Sequence, residues 1–100
     1  MIIRERVIEK RCCKHAENRG WLVYKFTSPG NNGVPDRIFM RSTIVFLVEF
    51  KSEAGELSTL QIAQIKRIQS KAVSVYVISS FDEFVEALDY QESRNPYEYL

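Results

Sequence analysis

Apolar and polar positions change their period several times along the chain, and each change marks an element. The first nineteen residues lack Gly and Pro, mix charge with apolar positions, and stop at Gly20. That pattern predicts a helix closed by a C-terminal glycine. WLVYKFT (21–27) is rich in aromatic and β-branched residues and predicts a strand, followed by an exposed loop, SPGNNGVP, with two Gly, two Pro and two Asn. DRIFMR and STIVFLVEFK predict two further strands joined by a short turn near Arg41 and Ser42. After the polar connection SEAGEL, Ser58 and Gln61 form a capping-box signature, and Leu60, Ile65, Ile68 and Ala72 recur at helical spacing. A second helix is predicted from about Ser58 to Lys71. VSVYVIS reads as the last strand; Ser80 with Glu83 repeats the capping box, and Phe84, Val85 and Leu88 give a third helix its apolar stripe.

The predicted order is therefore α-β-β-β-α-β-α. Three consecutive strands suggest a meander, and the third strand, second helix and fourth strand make a β-α-β unit whose strands should run parallel with a right-handed crossover. The expected fold class is α+β, a mixed sheet flanked by helices. One hundred residues with 45% hydrophobic content suit a single domain over residues 1–100. No apolar run approaches membrane-spanning length, and the amino terminus alternates charge with isoleucine, so a soluble intracellular protein is expected. Cys12 and Cys13 are adjacent, with no second Cys or His pair at zinc-ligand spacing, which speaks against a disulfide framework and against structural zinc. Both read as small core residues. The net charge of +1 conceals a split: residues 1–81 carry thirteen Lys or Arg against seven Asp or Glu, and residues 82–100 carry one against six. The basic part suits a polyanion, and solvated helix faces give the same asymmetry.

Chemistry enters where polar residues occupy apolar positions. In VFLVEFK, Val45, Leu47, Glu49 and Lys51 share one strand face. A carboxylate and an ammonium thus stand roughly 7 Å apart at a strand tip. Reaching solvent there is the bland explanation. On the first helix Ile8, Cys12, Cys13 and Ala16 define the apolar arc, and Glu9 falls near its middle with Glu5 a turn away, while Arg4, Arg6, Lys10, Arg11 and Lys14 lie opposite. A carboxylate aimed at a core needs a compensating partner. Gln61 lies between Ile65 and Ile68 on the inward arc, where it either completes its capping box or faces a site. Asp36 follows the glycine-rich loop at the start of the strand expected to pair with the Glu49 strand, although turn chemistry also favours Asp after Pro. Gathered at one end of one sheet, three carboxylates repel each other, and the usual remedy is a hard divalent cation such as Mg²⁺ or Mn²⁺. Such an ion polarises a phosphoryl oxygen and acidifies water, and a neighbouring Lys stabilises charge on phosphate. The chemistry implied is phosphodiester hydrolysis.

Pro35-Asp36 followed by Glu49-Phe50-Lys51, in an α-β-β-β-α-β order, resembles the PD-(D/E)XK nuclease superfamily with its restriction-endonuclease-like core. More narrowly, KFTSPGNNGVPDRIF and VEFKSEAGELSTLQ resemble a stand-alone virus-type replication-repair nuclease (VRR-Nuc) domain. The resemblance implies that Asp36, Glu49 and the Phe50 main-chain carbonyl bind Mg²⁺ (or Mn²⁺), that Glu9 completes the metal shell with Glu5 as the alternative, that Lys51 positions or activates the attacking water, and that Gln61 orients the site or contacts DNA. It further implies a homodimeric, Holliday-junction-resolvase-like endonuclease acting on branched DNA, without organic cofactor, in a cytoplasm of phage or bacterial origin. Lys10, Lys14, Lys25, Ser28, Gly30, Gly33, Arg37 and Arg41 are the expected DNA contacts, whereas Lys66, Arg67 and Lys71 equally suit a solvated helix face. The alternatives are a non-catalytic nucleic-acid-binding module of the same fold, a monomeric flap or nicking endonuclease, and a small partner-binding domain in which these polar residues are surface. His15 is expected on the outward, basic side of the first helix. Trp21 and Tyr24 are expected in the core or an interface. The terminal NPYEYL is expected either to cross a dimer interface or to fold back on its own domain.

Overall fold

The computed structural model describes residues 4–94, so NPYEYL and the first three residues of the expected first helix lie outside the described residues. Helix α1 spans Glu5–Asn18. It ends because Gly20 adopts φ +88°, letting the Gly20 amide donate to the Glu17 carbonyl and the Trp21 amide to the Ala16 carbonyl, both at 3.0 Å. These two bonds make a Schellman cap. They also turn Trp21, 3% exposed, back onto the core beside Ala16.

The strands follow as β1 (Leu22–Lys25), β2 (Arg37–Arg41), β3 (Ile44–Phe50) and β4 (Ser74–Ile78), with α2 (Thr59–Gln69) between β3 and β4 and α3 (Phe81–Ser93) last. The sheet order is β1-β2-β3-β4. β1 to β3 form the antiparallel meander, and β4 runs parallel to β3 across the α2 crossover. This is the expected mixed α+β arrangement. The β2–β3 turn sits at Ser42 and Thr43, one residue beyond its predicted place, with both in the left-handed region at φ 49° and 70°. A two-residue hairpin loop needs that conformation to match the strand twist.

Ile8, Cys12, Cys13 and Ala16 of α1 and Phe84 and Leu88 of α3 pack with Phe39, Phe46, Val48 and Phe50 into one buried cluster. Phe39 and Phe46 stack with ring centroids 4.8 Å apart. This core immobilises the strand ends that carry the polar residues. The opposite sheet face is covered unevenly. Helix α2 packs against β4, with Ile65 and Leu47 buried, while Leu22 (48%), Tyr24 (55%) and Val45 (43%) stay exposed. β3 is covered on both faces only from Phe46 onward, and Tyr24 lies on the open face and not in the core, the first of its two expected places. His15 differs from its expected outward place: α3 flanks α1 more closely than periodicity reveals, and the imidazole meets Phe81 edge-on at 5.2 Å.

Glu92, 8% exposed, accepts hydrogen bonds from Arg19 (2.7 Å) and from Arg41. The acidic stretch 82–100 thus meets part of its countercharge within the chain. Among the described residues no helix is long and apolar enough to cross a membrane.

Candidate active site at the β2–β3 end of the sheet

Asp36 is held by backbone on both sides: its amide donates to the Val48 carbonyl at 3.0 Å, and its carbonyl accepts from the Phe26 amide at 2.8 Å. Its side chain is fixed as well, since Oδ2 accepts the Phe50 amide at 2.8 Å. The carboxylate is therefore tied to the residue following Glu49. Glu49 itself is only 2% exposed, and its Oε2 accepts from Gln61 Nε2 at 3.0 Å and lies 3.9 Å from Lys51 Nζ. Lys51 is anchored through its amide, which donates to the Ile78 carbonyl at 2.9 Å.

Gln61 does both jobs that its position permits. Its Oε1 accepts the Ser58 amide at 2.8 Å while its own amide donates to Ser58 Oγ at 3.1 Å, completing the capping box. The remaining side-chain amide is what reaches Glu49. A cap therefore fixes a site residue in one rotamer.

The loop SPGNNGVP contributes by packing. Ser28 to Asn31 form a turn closed by the Asn31 amide on the Ser28 carbonyl (2.9 Å), with Gly30 at φ +81° and open space around its α-carbon. Gly33, at φ +89°, lies so close to α2 that an added Cβ would meet the Leu60 carbonyl carbon at 2.9 Å and the Gln61 nitrogen at 3.0 Å. The role expected for Gly33 was approach to substrate; its packing on α2 gives it another. Gly33→Ala should cost roughly 2–4 kcal/mol in urea unfolding, since left-handed strain adds to a backbone collision. Gly30→Ala should show only the strain, about 1–2 kcal/mol. Equal losses would mean that Gly33 is held by conformation alone.

Helix α1 supplies two more carboxylates. Glu9 is engaged by Arg37, whose Nε donates to Oε2 at 2.6 Å, so this conformation directs it to a guanidinium. Arg37, expected at DNA, is correspondingly occupied. Glu5 lies near enough to Asp36 and Lys51 to feel both. Burial raises the Glu5 carboxyl above its usual range, and Asp36 adds to that. The same two causes push Glu49 up to about 7, with Lys51 opposing and Glu5 and Glu9 reinforcing. Asp36 is raised by burial, opposed by the Phe50 amide and reinforced by Glu9. Four carboxylates thus share one electrostatic neighbourhood with two cations. Among the described residues no three acidic, His or Cys side chains are grouped closely enough to hold an ion between them. Asp36 and Glu49 remain a two-carboxylate donor set of the kind Mg²⁺ uses with retained waters.

The Arg37–Glu9 pair yields a direct expectation. Its side chains are 25% and 18% exposed, so Arg37→Ala should cost about 1–3 kcal/mol in urea unfolding by stranding Glu9 among like charges. A loss that vanished in 1 M salt (a screening length of about 3 Å) would identify the pair as a surface contact.

The other expected DNA contacts scatter. Lys10 and Lys14 are exposed on α1, Lys25 is exposed where β1 pairs with Arg37, and Ser28 is half-buried in the loop. Arg41 stands at the far end of β2 from Asp36 and is bonded to Glu92, so the fold does not bring it to the site. Cys12 and Cys13 are buried, with thiols pushed up by burial to about 12 and about 11, which suits core residues. The contribution that sequence reasoning missed is the hold of Arg37 on Glu9.

No family model matches the chain. A protein of Acyrthosiphon pisum secondary endosymbiont phage 1, named "Putative nuclease p44", is 33% identical over 82 residues, which span 81% of this chain and 88% of that protein. A solved structure titled "VRR_NUC domain" superposes with a TM-score of 0.78 over 86% of this chain and 95% of its own, at 24% identity. The shared fold and the extent of the phage match place this chain in the VRR-Nuc nuclease family.

Proposed function

We propose that this chain is a Mg²⁺-dependent, structure-specific DNA endonuclease that hydrolyses phosphodiester bonds in branched DNA, Holliday-junction-resolvase-like, as a homodimer. The observation that supports it best is the meeting of Asp36, Glu49, Lys51 and Gln61 at one strand end, where burial first and neighbouring carboxylates second hold the Asp36 and Glu49 carboxyls above their usual range, a cost that a bound cation would relieve. Asp36, Glu49 and the Phe50 main-chain carbonyl would hold the ion, and an α1 acid, Glu9 or Glu5, would join it only by moving closer than it stands, Glu9 by releasing Arg37; Mn²⁺ suits the same oxygen donors. When bound, the ion would polarise the phosphoryl oxygen and acidify the attacking water. Lys51 stabilises charge developing on phosphate, and Gln61 keeps Glu49 aimed.

Branched substrates and dimerisation follow from the family resemblance and from symmetry, because two equivalent sites suit two strands of a pseudo-symmetric junction. The open apolar face at Leu22, Tyr24 and Val45 is compatible with a second copy. The test is cleavage of duplex, flap, splayed and four-way DNA with Mg²⁺ or Mn²⁺, beside Asp36→Ala, with the oligomeric state measured by light scattering. Ion-dependent cleavage of branched DNA that Asp36→Ala loses supports the reading. Equal cleavage by both preparations indicates a contaminant, and no cleavage of any substrate favours a binding module. Flap or duplex cleavage by a monomer would replace the junction-resolving version.

A further inference from the structure

A groove of about 320 Å³ runs between the β1–β2 loop and α2, on the sheet face that carries Asp36 and Glu49. Its volume falls at the lower end of small-ligand sites, roughly 300–1,000 Å³. Phe26, Val34 and Ile68 make its apolar floor, while Arg67 and Lys71 stand on its rim. No carboxylate lines it, in contrast to the cavity at Val7 and Ile8, which Glu53 and Asp82 flank. Arg67, on α2, and Lys71, two residues past its end, are exposed and without an ion-pair partner among the described residues. Both line the one groove, so their long side chains can converge on one phosphate there.

The position of Phe26 gives the groove its meaning. Its amide donates to the Asp36 carbonyl at 2.8 Å, which extends the β1–β2 pairing by one residue beyond Lys25 and Arg37. Phe26 therefore lies one strand spacing, about 4.8 Å, from the Asp36 backbone. Half-buried in a concave floor, its ring is out of reach of a base stacked inside a duplex and within reach of a splayed one. An aromatic floor under a cationic rim is the chemistry that holds single-stranded nucleic acid.

We propose that this groove seats an unpaired nucleotide of the DNA strand adjoining the scissile phosphate, its base stacked on Phe26 and its phosphate between Arg67 and Lys71. The proposal rests on the nuclease reading above and adds a source of branch selectivity, since only substrates with a splayed nucleotide fill the groove.

The test separates binding from cleavage. In EDTA, fluorescence anisotropy with a short oligothymidylate probe reads the groove without turnover. Phe26→Ala and the double variant Arg67→Glu/Lys71→Glu should each weaken binding about tenfold, Phe26→Trp should retain it, and duplex binding should change less than twofold. The charge variant changes exposed positions, one on α2 and one in the turn after it, and remains informative should Phe26→Ala fold poorly. Unchanged single-strand affinity in the charge variant and in folded Phe26→Ala overturns the proposal; so does a loss equal for duplex and single strand. If these binding differences appear and wild-type protein cleaves nothing with Mg²⁺, the nuclease reading fails and the groove stands. If wild-type protein cleaves and the variants bind normally, the groove alone fails.

Discussion

Glu49→Gln should lower phosphodiester cleavage by about 10³-fold, the upper end of what removing one charge-stabilising group costs, while making the metal-free protein more stable. Both effects have one origin. Glu49 is 2% exposed, and burial together with Asp36 pushes its carboxyl up to about 7, with Lys51 opposing. Its ionised form is therefore unfavourable in the folded protein. A carboxyl whose folded pKa exceeds the ordinary 4.5 contributes stability in its neutral form below that value and loses it as pH rises through about 7. The wild-type protein in EDTA should accordingly lose thermal stability relative to Glu49→Gln between about pH 4.5 and 7, with a constant gap above. Glutamine matches the shape and can still bond Gln61. On the proposed reading, added Mg²⁺ should stabilise the wild type and leave the variant unmoved, because ligand binding to the folded state alone raises stability. A gap independent of pH would remove Glu49 as the source of the crowding.

Where the chain announced its structure, a local signal and a long-range requirement coincided. Gly20 marks the end of α1 because only a residue tolerant of φ +88° closes that cap, and Ser58 marks the start of α2 because its hydroxyl meets the Gln61 amide. The Ser42–Thr43 turn carries no Asn-Gly signature, which is why its predicted place slipped by one residue. Strand alternation was enough to put Glu49 and Lys51 on one face. The choice posed for Gln61, cap or site, dissolved because its carbonyl oxygen and amide nitrogen serve one each. Arg37 was legible only as one basic residue among many, because its bond to Glu9 joins positions 28 residues apart on α1 and β2. Coverage was equally hidden. Periodicity shows that a face is apolar, whereas the placement of α2 over β4 decides that Val45 and Tyr24 stay open. The basic and acidic stretches looked like a surface asymmetry, and Arg19 and Arg41 converge on Glu92 instead.

Lys51→Ala should reduce turnover by about 10²–10³-fold, on the scale measured when one preorganised stabilising group is removed, and leave DNA affinity within about threefold. The side chain is 18% exposed, its backbone is locked to Ile78, and its ammonium lies 3.9 Å from the Glu49 carboxylate. It is therefore poised beside the acids, where charge on phosphate would develop, and contributes one cation among several to ground-state binding. A second route complicates the loss. Removing Lys51 takes away the principal charge that lowers the Glu49 carboxyl, so Glu49 should protonate more readily and hold a cation less well. Mn²⁺ titration separates the routes: activity restored at saturating ion would assign the effect to Glu49, and activity that stays low assigns it to the missing ammonium. Lys51→Arg should recover little, because a planar guanidinium cannot take the place of a compact ammonium in this partly buried position. Turnover and affinity falling in parallel would make Lys51 an ordinary phosphate contact.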